Sequence, residues 1–219
     1  MRLLRSASAA VLALAFAWPL AAQTGGENAP FVVAINHEPD TLDPTISVNT
    51  VISRPTMENV IEPLIGVDGA GNLVPGLASW DYSEDGRVLT FHLREGVRFH
   101  SGDPLTADDV IFSHERMAER SSIYQSRLRN FERIEKVDDL TVRLYFTSAD
   151  VTYLPPRNLS VVSRTYFERV GEEAFIANPV GTGPYRFVSH SPAQDMILTA
   201  NEEYWGGVPD VRDVRFVFV

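Results

Sequence analysis

The stretch NLVPGLASWDYSEDGRVLTFHLREGVRFHSGDPLTADDVIF, Asn72 to Phe112, decides how the whole chain is read. Trp80 and Tyr82 alternate along a first strand, and Ser83-Glu84-Asp85-Gly86 supplies turn chemistry, with Gly86 free to take positive φ. From Arg87 to Leu93 the side chains split by period two. Leu89, Phe91 and Leu93 share one face, and Val88, Thr90 and His92 share the other. Gly96 and Ser101-Gly102 turn the chain twice more. Thr106 with Asp109 three residues later is a capping-box pattern, and Val110, Ile111, His114, Met117 and Ala118 recur behind it at helical spacing. The order is strand, turn, strand, turns, capped helix.

None of that is chemistry by itself. The literal strings LVPGLA-W, SEDG, TFHLREGVRFHSG and LTADDVIFS, in this order, resemble the family 5 extracellular solute-binding proteins, the peptide- and nickel-type receptors of ABC importers. PVGTGPYRF at Pro179–Phe187 and NEEYWGGVPDVRDVRF at Asn201–Phe216 agree with it. Several ordered motifs in one chain form a far more specific signal than any single short pattern. The resemblance covers nearly all of the chain after residue 30, and only the N-terminal part of the family's longer members.

Composition bounds the alternatives. The chain has 219 residues, 44% hydrophobic and 22% charged, values ordinary for a soluble globular protein. A formal charge of −10 and the lack of any basic run argue against nucleic acid. The absence of cysteine removes disulfides, thiolate metal sites, thiol catalysis and a lipid-anchor cysteine together. Met1 to Ala22 reads as an export signal: Arg2 and Arg5 form a basic start, Ala9 to Ala17 an apolar run too short to span a bilayer, and Leu20-Ala21-Ala22 a cleavage site. Its removal takes the charge from −10 to −12 and leaves an exported protein, which the resemblance places in the periplasm.

Taken in order, Phe31 to Ile35 is a continuous apolar run and is expected to be a buried strand. The segment NHEPDTLDP follows, resembling the family stretch that ends in "LDP". Asn49 and Thr50 then either cap the next helix or contact ligand, since in the family this segment borders the cleft. That helix holds Pro55 in its first turn and carries Met57, Val60, Ile61 and Leu64 as its apolar stripe. Asp68 to Asn72 is a turn-rich loop that looks like a domain boundary. Phe131 to Val137 and Thr141 to Phe146 form a hairpin across Asp138-Asp139. Leu159, Val161 and Val162 suggest a short buried strand, and Ser163 caps a helix that ends at Gly171. Val211 to Val219 is apolar on both faces, as in the middle of a sheet, and the C-terminus therefore reads as a truncation.

No catalytic or metal constellation stands out. The five histidines show no i, i+4 pairing and no HExxH, and no GxSxG elbow occurs. His92 and His114 read as structural, whereas His37 and His100 lie in loops open to a ligand role. Gly181-Thr182-Gly183 lacks the Lys-Ser/Thr of a phosphate loop and reads as a backbone turn needing glycine. Arg157, delivered from Pro155-Pro156, either clamps a carboxylate bidentately or pairs with a surface acid. Tyr153 beside it either stacks on ligand or packs.

The resemblance implies an α/β fold of the periplasmic-binding-protein type II, with a cleft between lobes, an inserted α+β domain and truncation before the second lobe. The implied partition is residues 1–22 signal, 23–66 first lobe, 67–177 inserted domain and 178–219 first lobe again. It implies non-enzymatic capture of an oligopeptide or similar solute, no cofactor or metal, and delivery by a monomeric receptor to the permease of an ABC transporter. The rival readings are a secreted chaperone-like peptide-binding module and a secreted hydrolase. The candidate contacts are Asn49, Thr50, Tyr153 and Arg157.

Overall fold

The computed structural model describes residues 29–47, 57–120, 122–125, 128–150, 153 and 159–219. Two four-stranded sheets and a short hairpin carry the architecture. Strand β1 (Phe31–Ile35) comes first, and β2 (Ile65–Val67) and β3 (Leu73–Pro75) form the hairpin. The stretch that opened the reading then unfolds as expected into β4 (Ala78–Tyr82), β5 (Val88–Leu93) and helix α1 (Ala107–Arg120). A short helix α2 (Ser122–Gln125) leads to β6 (Phe131–Asp138) and β7 (Thr141–Phe146). Helices α3 (Arg164–Val170) and α4 (Glu172–Ala177) precede β8 (Tyr185–Ser191), β9 (Asp195–Ala200) and β10 (Asp213–Phe218).

The first sheet runs β4-β5-β7-β6, antiparallel throughout. Its period-two pattern points Leu89, Phe91 and Leu93 of β5, with Val142, Leu144 and Phe146 of β7, onto one face. α1 covers that face with Val110 and Met117, and this core extends to Leu64, Ile65, Leu77, Leu159 and Val161. The capping box closes: the Asp109 carboxylate accepts from the Thr106 N–H and Oγ1 at 2.9 Å each. Its other oxygen accepts from the Arg164 N–H at 2.8 Å, so one side chain seats the starts of both α1 and α3. Burial raises the Asp109 pKa, against the pull of these donors.

The second sheet runs β1-β10-β9-β8. β1 lies parallel to β10, with Val33 opposite Phe216, and this places the chain's first strand beside its last. Behind the sheet a separate core gathers Met57, Val60, Ile61, Val162, Phe175, Met196 and Leu198. The chain passes from this core to the first between Ile61 and Leu64 and returns between Val161 and Val162.

Four expectations are corrected here. β1 is a strand but not a buried one: Phe31 is 59% exposed and Val32 56% exposed, because β1 is an edge strand with β10 on one side only. β10 does sit inside the sheet, between β1 and β9, yet it buries one face through Val214 and Phe216 while Arg215 points out to Asp195. Leu159, Val161 and Val162 are buried without forming a strand, joined to the preceding segment by a single bridge between Ser160 and Pro63. The Asp68–Asn72 loop closes the β2–β3 hairpin. The Asp68 carboxylate accepts from the N–H groups of Ala70 and Asn72, and core residues before and after it (Ile65, Leu77) share one cluster. α3 has the expected caps: Ser163 Oγ accepts from the Tyr166 N–H, and Gly171, at φ 82°, ends the helix.

Candidate functional site

Chemistry-bearing side chains concentrate along the seam between the two cores. Three polar clusters sew it together, and each joins segments far apart in the chain.

The first begins in NHEPDTLDP. Asp43 is fully buried and receives Arg116 of α1: Nη2 donates to Oδ2 at 2.7 Å and Nε at 3.1 Å. Thr45 donates to the other Asp43 oxygen from its N–H at 2.9 Å and from Oγ1 at 2.6 Å. Arg116 Nη2 also donates to Glu172 at 2.8 Å, and its guanidinium lies 4.5 Å from the Phe167 ring centre. Burial opposes the charge on Arg116, but Asp43 and Glu172 outweigh it and hold its pKa above the ordinary value. The "LDP" aspartate is thus a structural anchor that ties the chain start to α1 and α4.

The second centres on Glu62. Its carboxylate accepts from Thr182 Oγ1 at 2.8 Å, Tyr204 Oη at 2.7 Å and Trp205 Nε1 at 3.0 Å. Arg94 stacks 4.2 Å from the Trp205 ring centre. Burial raises the Glu62 pKa, and its Trp205, Tyr204 and Thr182 donors, followed by Arg94, pull it back down. Glu62 is not among the sequence-derived candidates, and Asn201–Phe216 stands out in the sequence only as a family motif. The available signal was a lone acid on the polar flank of an apolar stripe, which does not reveal partners 120 and 142 residues away.

The third is the Gly181-Thr182-Gly183 loop. Neither glycine has positive φ, so conformational freedom is not why they stand there. A Cβ on Gly181 would lie 2.0 Å from the Val60 carbonyl oxygen, and one on Gly183 2.3 Å from that of Asn59. The loop passes directly over the 59–61 backbone, with Gly183 N–H donating to Val60 and Tyr185 N–H to Asn59, each at 3.0 Å. Sequence reading had the right residue type and attributed it to a turn; close backbone approach is the reason. His100, left open in the sequence, belongs to this loop: its Nε2 is 2.9 Å from the Gly183 carbonyl oxygen.

Of the sequence-derived contacts, Asn49, Thr50 and Arg157 lie outside the described residues. The described residues flanking them sit on the seam. Ser47 is buried and donates to Asp40 at 2.6 Å, Leu159 accepts from the Leu64 N–H at 3.0 Å, and Val161 N–H donates to Glu62 at 3.0 Å. Tyr153 is placed in the core, 4% exposed, with its hydroxyl 2.5 Å from Tyr124 Oη and 3.1 Å from His114 Nε2. Its ring packs 4.9 Å from Phe146, and burial pushes its phenol upward. His114 is neutral in this surrounding, with burial lowering its pKa to about 4. Among the described residues, no three His, Cys, Asp or Glu side chains come together as a metal site, and no helix is long and apolar enough to cross a membrane.

A separate open groove of about 340 Å³ runs along the second sheet, lined by Phe31, Val33, Asn59, Tyr185, Leu198, Val211, Val214 and Phe216. Its lining is mostly apolar and holds no charged side chain among the described residues.

Comparison with known proteins agrees with the motif reading. The model of the bacterial extracellular solute-binding proteins, family 5 Middle, matches residues 72–219. Di/tripeptide-binding protein 4 of Pseudomonas aeruginosa is 30% identical over 233 residues, covering 94% of this chain and 44% of its own length. The chain therefore spans less than half of that relative. Among solved structures, the Helicobacter pylori periplasmic binding protein DppA, in complex with the peptide STSA, superposes with a TM-score of 0.78 at 28% identity over 86% of this chain and 42% of its own. NikZ of Campylobacter jejuni, in complex with Ni(L-His), gives a TM-score of 0.78 at 26% identity over 87% of this chain and 39% of its own.

Proposed function

Because this chain belongs to the bacterial extracellular solute-binding proteins of family 5, with the fold of their periplasmic type II members, we propose that it supplies one wall of a ligand-capturing cleft in the receptor of an ABC importer. The ligand class is di- to oligopeptide, the site of work is the periplasm after cleavage near Ala22, and the captured solute passes to membrane permease subunits. The observation that carries this reading is the likeness, over 86% of the chain, to a binding protein solved with a peptide.

The physical logic is capture without covalent chemistry. Two lobes close on the ligand, exclude water and so strengthen each polar contact. An extended peptide is held through its backbone amides, with side-chain pockets left permissive. Arg157 takes the ligand carboxylate as a bidentate partner, and Asn49 and Thr50 supply neutral hydrogen bonds. Tyr153, its hydroxyl already bonded to Tyr124 and His114, anchors the start of the Arg157 segment. The seam clusters keep the two cores in register beneath the cleft.

The test is mass spectrometry of small molecules that co-purify with the periplasmic protein, followed by calorimetry with the peptides found. Short peptides should co-purify and bind. Recovery of a metal–amino-acid chelate in place of peptides would overturn the ligand class, and hydrolysis of the peptide pool would overturn the receptor reading. Arg157→Ala should weaken binding by about 2–5 kcal/mol if the carboxylate pair is buried; unchanged affinity for all peptides would reject Arg157 as the clamp.

A further inference from the structure

His100 lies in the turn between β5 and α1, and its polar groups face the Gly181–Gly183 loop and β8. Its N–H donates to the Gly181 carbonyl at 2.8 Å, and its own carbonyl accepts from Arg186 Nη1 at 2.8 Å. The ring completes a clamp: Nε2 lies 2.9 Å from the Gly183 carbonyl oxygen, and Nδ1 lies 3.4 Å from the Gly181 amide nitrogen. A carbonyl can only accept and an amide N–H can only donate. The ring is therefore neutral, with its proton on Nε2 and its lone pair on Nδ1.

A second proton has one place to go. On Nδ1 it turns the Gly181 contact into N–H against N–H. The charged groups nearby do not relieve this. From β8, the Arg186 guanidinium sits on the His100 carbonyl, bonded also to Asn201 Oδ1 at 3.0 Å and 3.5 Å from Glu203. Glu62 reaches the same loop only through Thr182. Asp103, on the histidine's own turn, accepts from Ser101 and pairs with Arg169 at 3.6 Å. Burial lowers the His100 pKa to about 4; the Gly183 bond opposes this and Arg186 adds to it.

We propose that His100 is an acid-released latch: neutral, it pins the β5–α1 turn to the Gly181–Gly183 loop, and as an imidazolium it lets the two cores part along this seam. The sign follows from the free and latched rings. The released ring titrates at an ordinary value near 6.5. The latch is thus at full strength above that pH and weakens by up to about tenfold per pH unit as the pH falls toward 4. It weakens no further below that.

Hydrogen exchange by NMR on the whole chain, corrected for intrinsic rates, reads the latch directly at the His100 and Gly183 amides. Their protection should drop by up to about tenfold per pH unit between pH 6.5 and 4.5, and should do so in His114→Gln as well, where the covered core no longer titrates through His114 and amides of β5 and β7 hold. His100→Gln, whose carboxamide donates and accepts but does not titrate, should keep the protection and abolish its pH dependence. His114→Gln should leave the seam's slope in place. A flat wild-type profile, an equal slope in His100→Gln, a slope abolished by His114→Gln, or a parallel loss across β5 and β7 in His114→Gln would each overturn the proposal. Should His100→Gln fail to fold, the wild-type ring decides by ¹⁵N titration. An Nε2–H tautomer with a pKa near 4 supports the latch, and a pKa of 6 or above overturns it.

Discussion

Phe91 and Phe31 are both phenylalanines on strands of four-stranded sheets, yet the first is fully buried and the second 59% exposed. Around Phe91, the sheet β4-β5-β7-β6 has α1 laid across one face, so its period-two pattern ends in a closed core. Around Phe31, the sheet β1-β10-β9-β8 keeps an open apolar groove at one end of a well-packed face. The exposed strand is the more apolar of the two, FVVAI against VLTFHL. What differs is whether a covering element has been brought over the strand, and that is a property of tertiary arrangement. A run of apolar residues states what a segment would gain by burial, not whether burial occurs.

The comparison can be sharpened by equal truncations. Phe91→Ala should destabilise by about 3–5 kcal/mol, through lost transfer energy and the cavity left in a covered core. A denaturation midpoint within experimental error of wild type would show that the core is loosely packed. Nearly as large is the tie between the two regions. Asp43→Ala leaves the buried Arg116 with Glu172 as its remaining acid partner and should cost up to about 3–5 kcal/mol, with the two regions melting less cooperatively. If near- and far-ultraviolet circular dichroism instead reported one cooperative melt at the wild-type midpoint, the Asp43–Arg116 pair would not be what couples them.

A third measurement uses pH. His114, in the covered core, has its pKa lowered to about 4 by burial. A base held neutral by the fold contributes stability that is complete above its unfolded value near 6.5 and fades as pH falls toward 4. Glu58, on the other region, is raised to about 7 by burial and acts with the opposite sign, favouring the fold most below about 4.5. His114→Gln should therefore flatten the rise in stability between pH 4.5 and 6.5, a change on the order of 2–3 kcal/mol across that window. Urea midpoints that keep their wild-type slope would place the titration elsewhere. The smallest effect belongs to the edge strand. Phe31→Ala should shift stability by no more than about 0.5 kcal/mol, as at other exposed positions. A loss comparable to that of Phe91→Ala would mean the groove is covered in solution.

Much of the fold was legible because its signals are local. Turn residues at Ser83–Gly86, the Thr106–Asp109 box, the Asp138-Asp139 hairpin and the Ser163 and Gly171 caps each act across a few residues, and each stands where the sequence placed it. The family strings identified the architecture from order alone. The candidate contacts were far less legible. Tyr153 resolves into a core position, and Asn49, Thr50 and Arg157 lie outside the described residues, so they rest on the resemblance.

By itself, then, the sequence determined the family, the strand–turn–strand–helix order of Asn72–Phe112, the Phe131–Phe146 hairpin and the caps of α3. The elements follow from backbone preference or short-range periodicity, and the family from the resemblance of its ordered strings. Only the tertiary structure decided that Asp43 belongs to Arg116, Glu62 to Thr182, Tyr204 and Trp205, and His100 to the Gly181–Gly183 loop. It also decided that the two glycines are there to let one backbone cross another. Those pairings span from about 70 to over 140 residues. A buried polar group must find a partner, but nothing within a few residues of it says which one, and the choice is made only when the two cores meet.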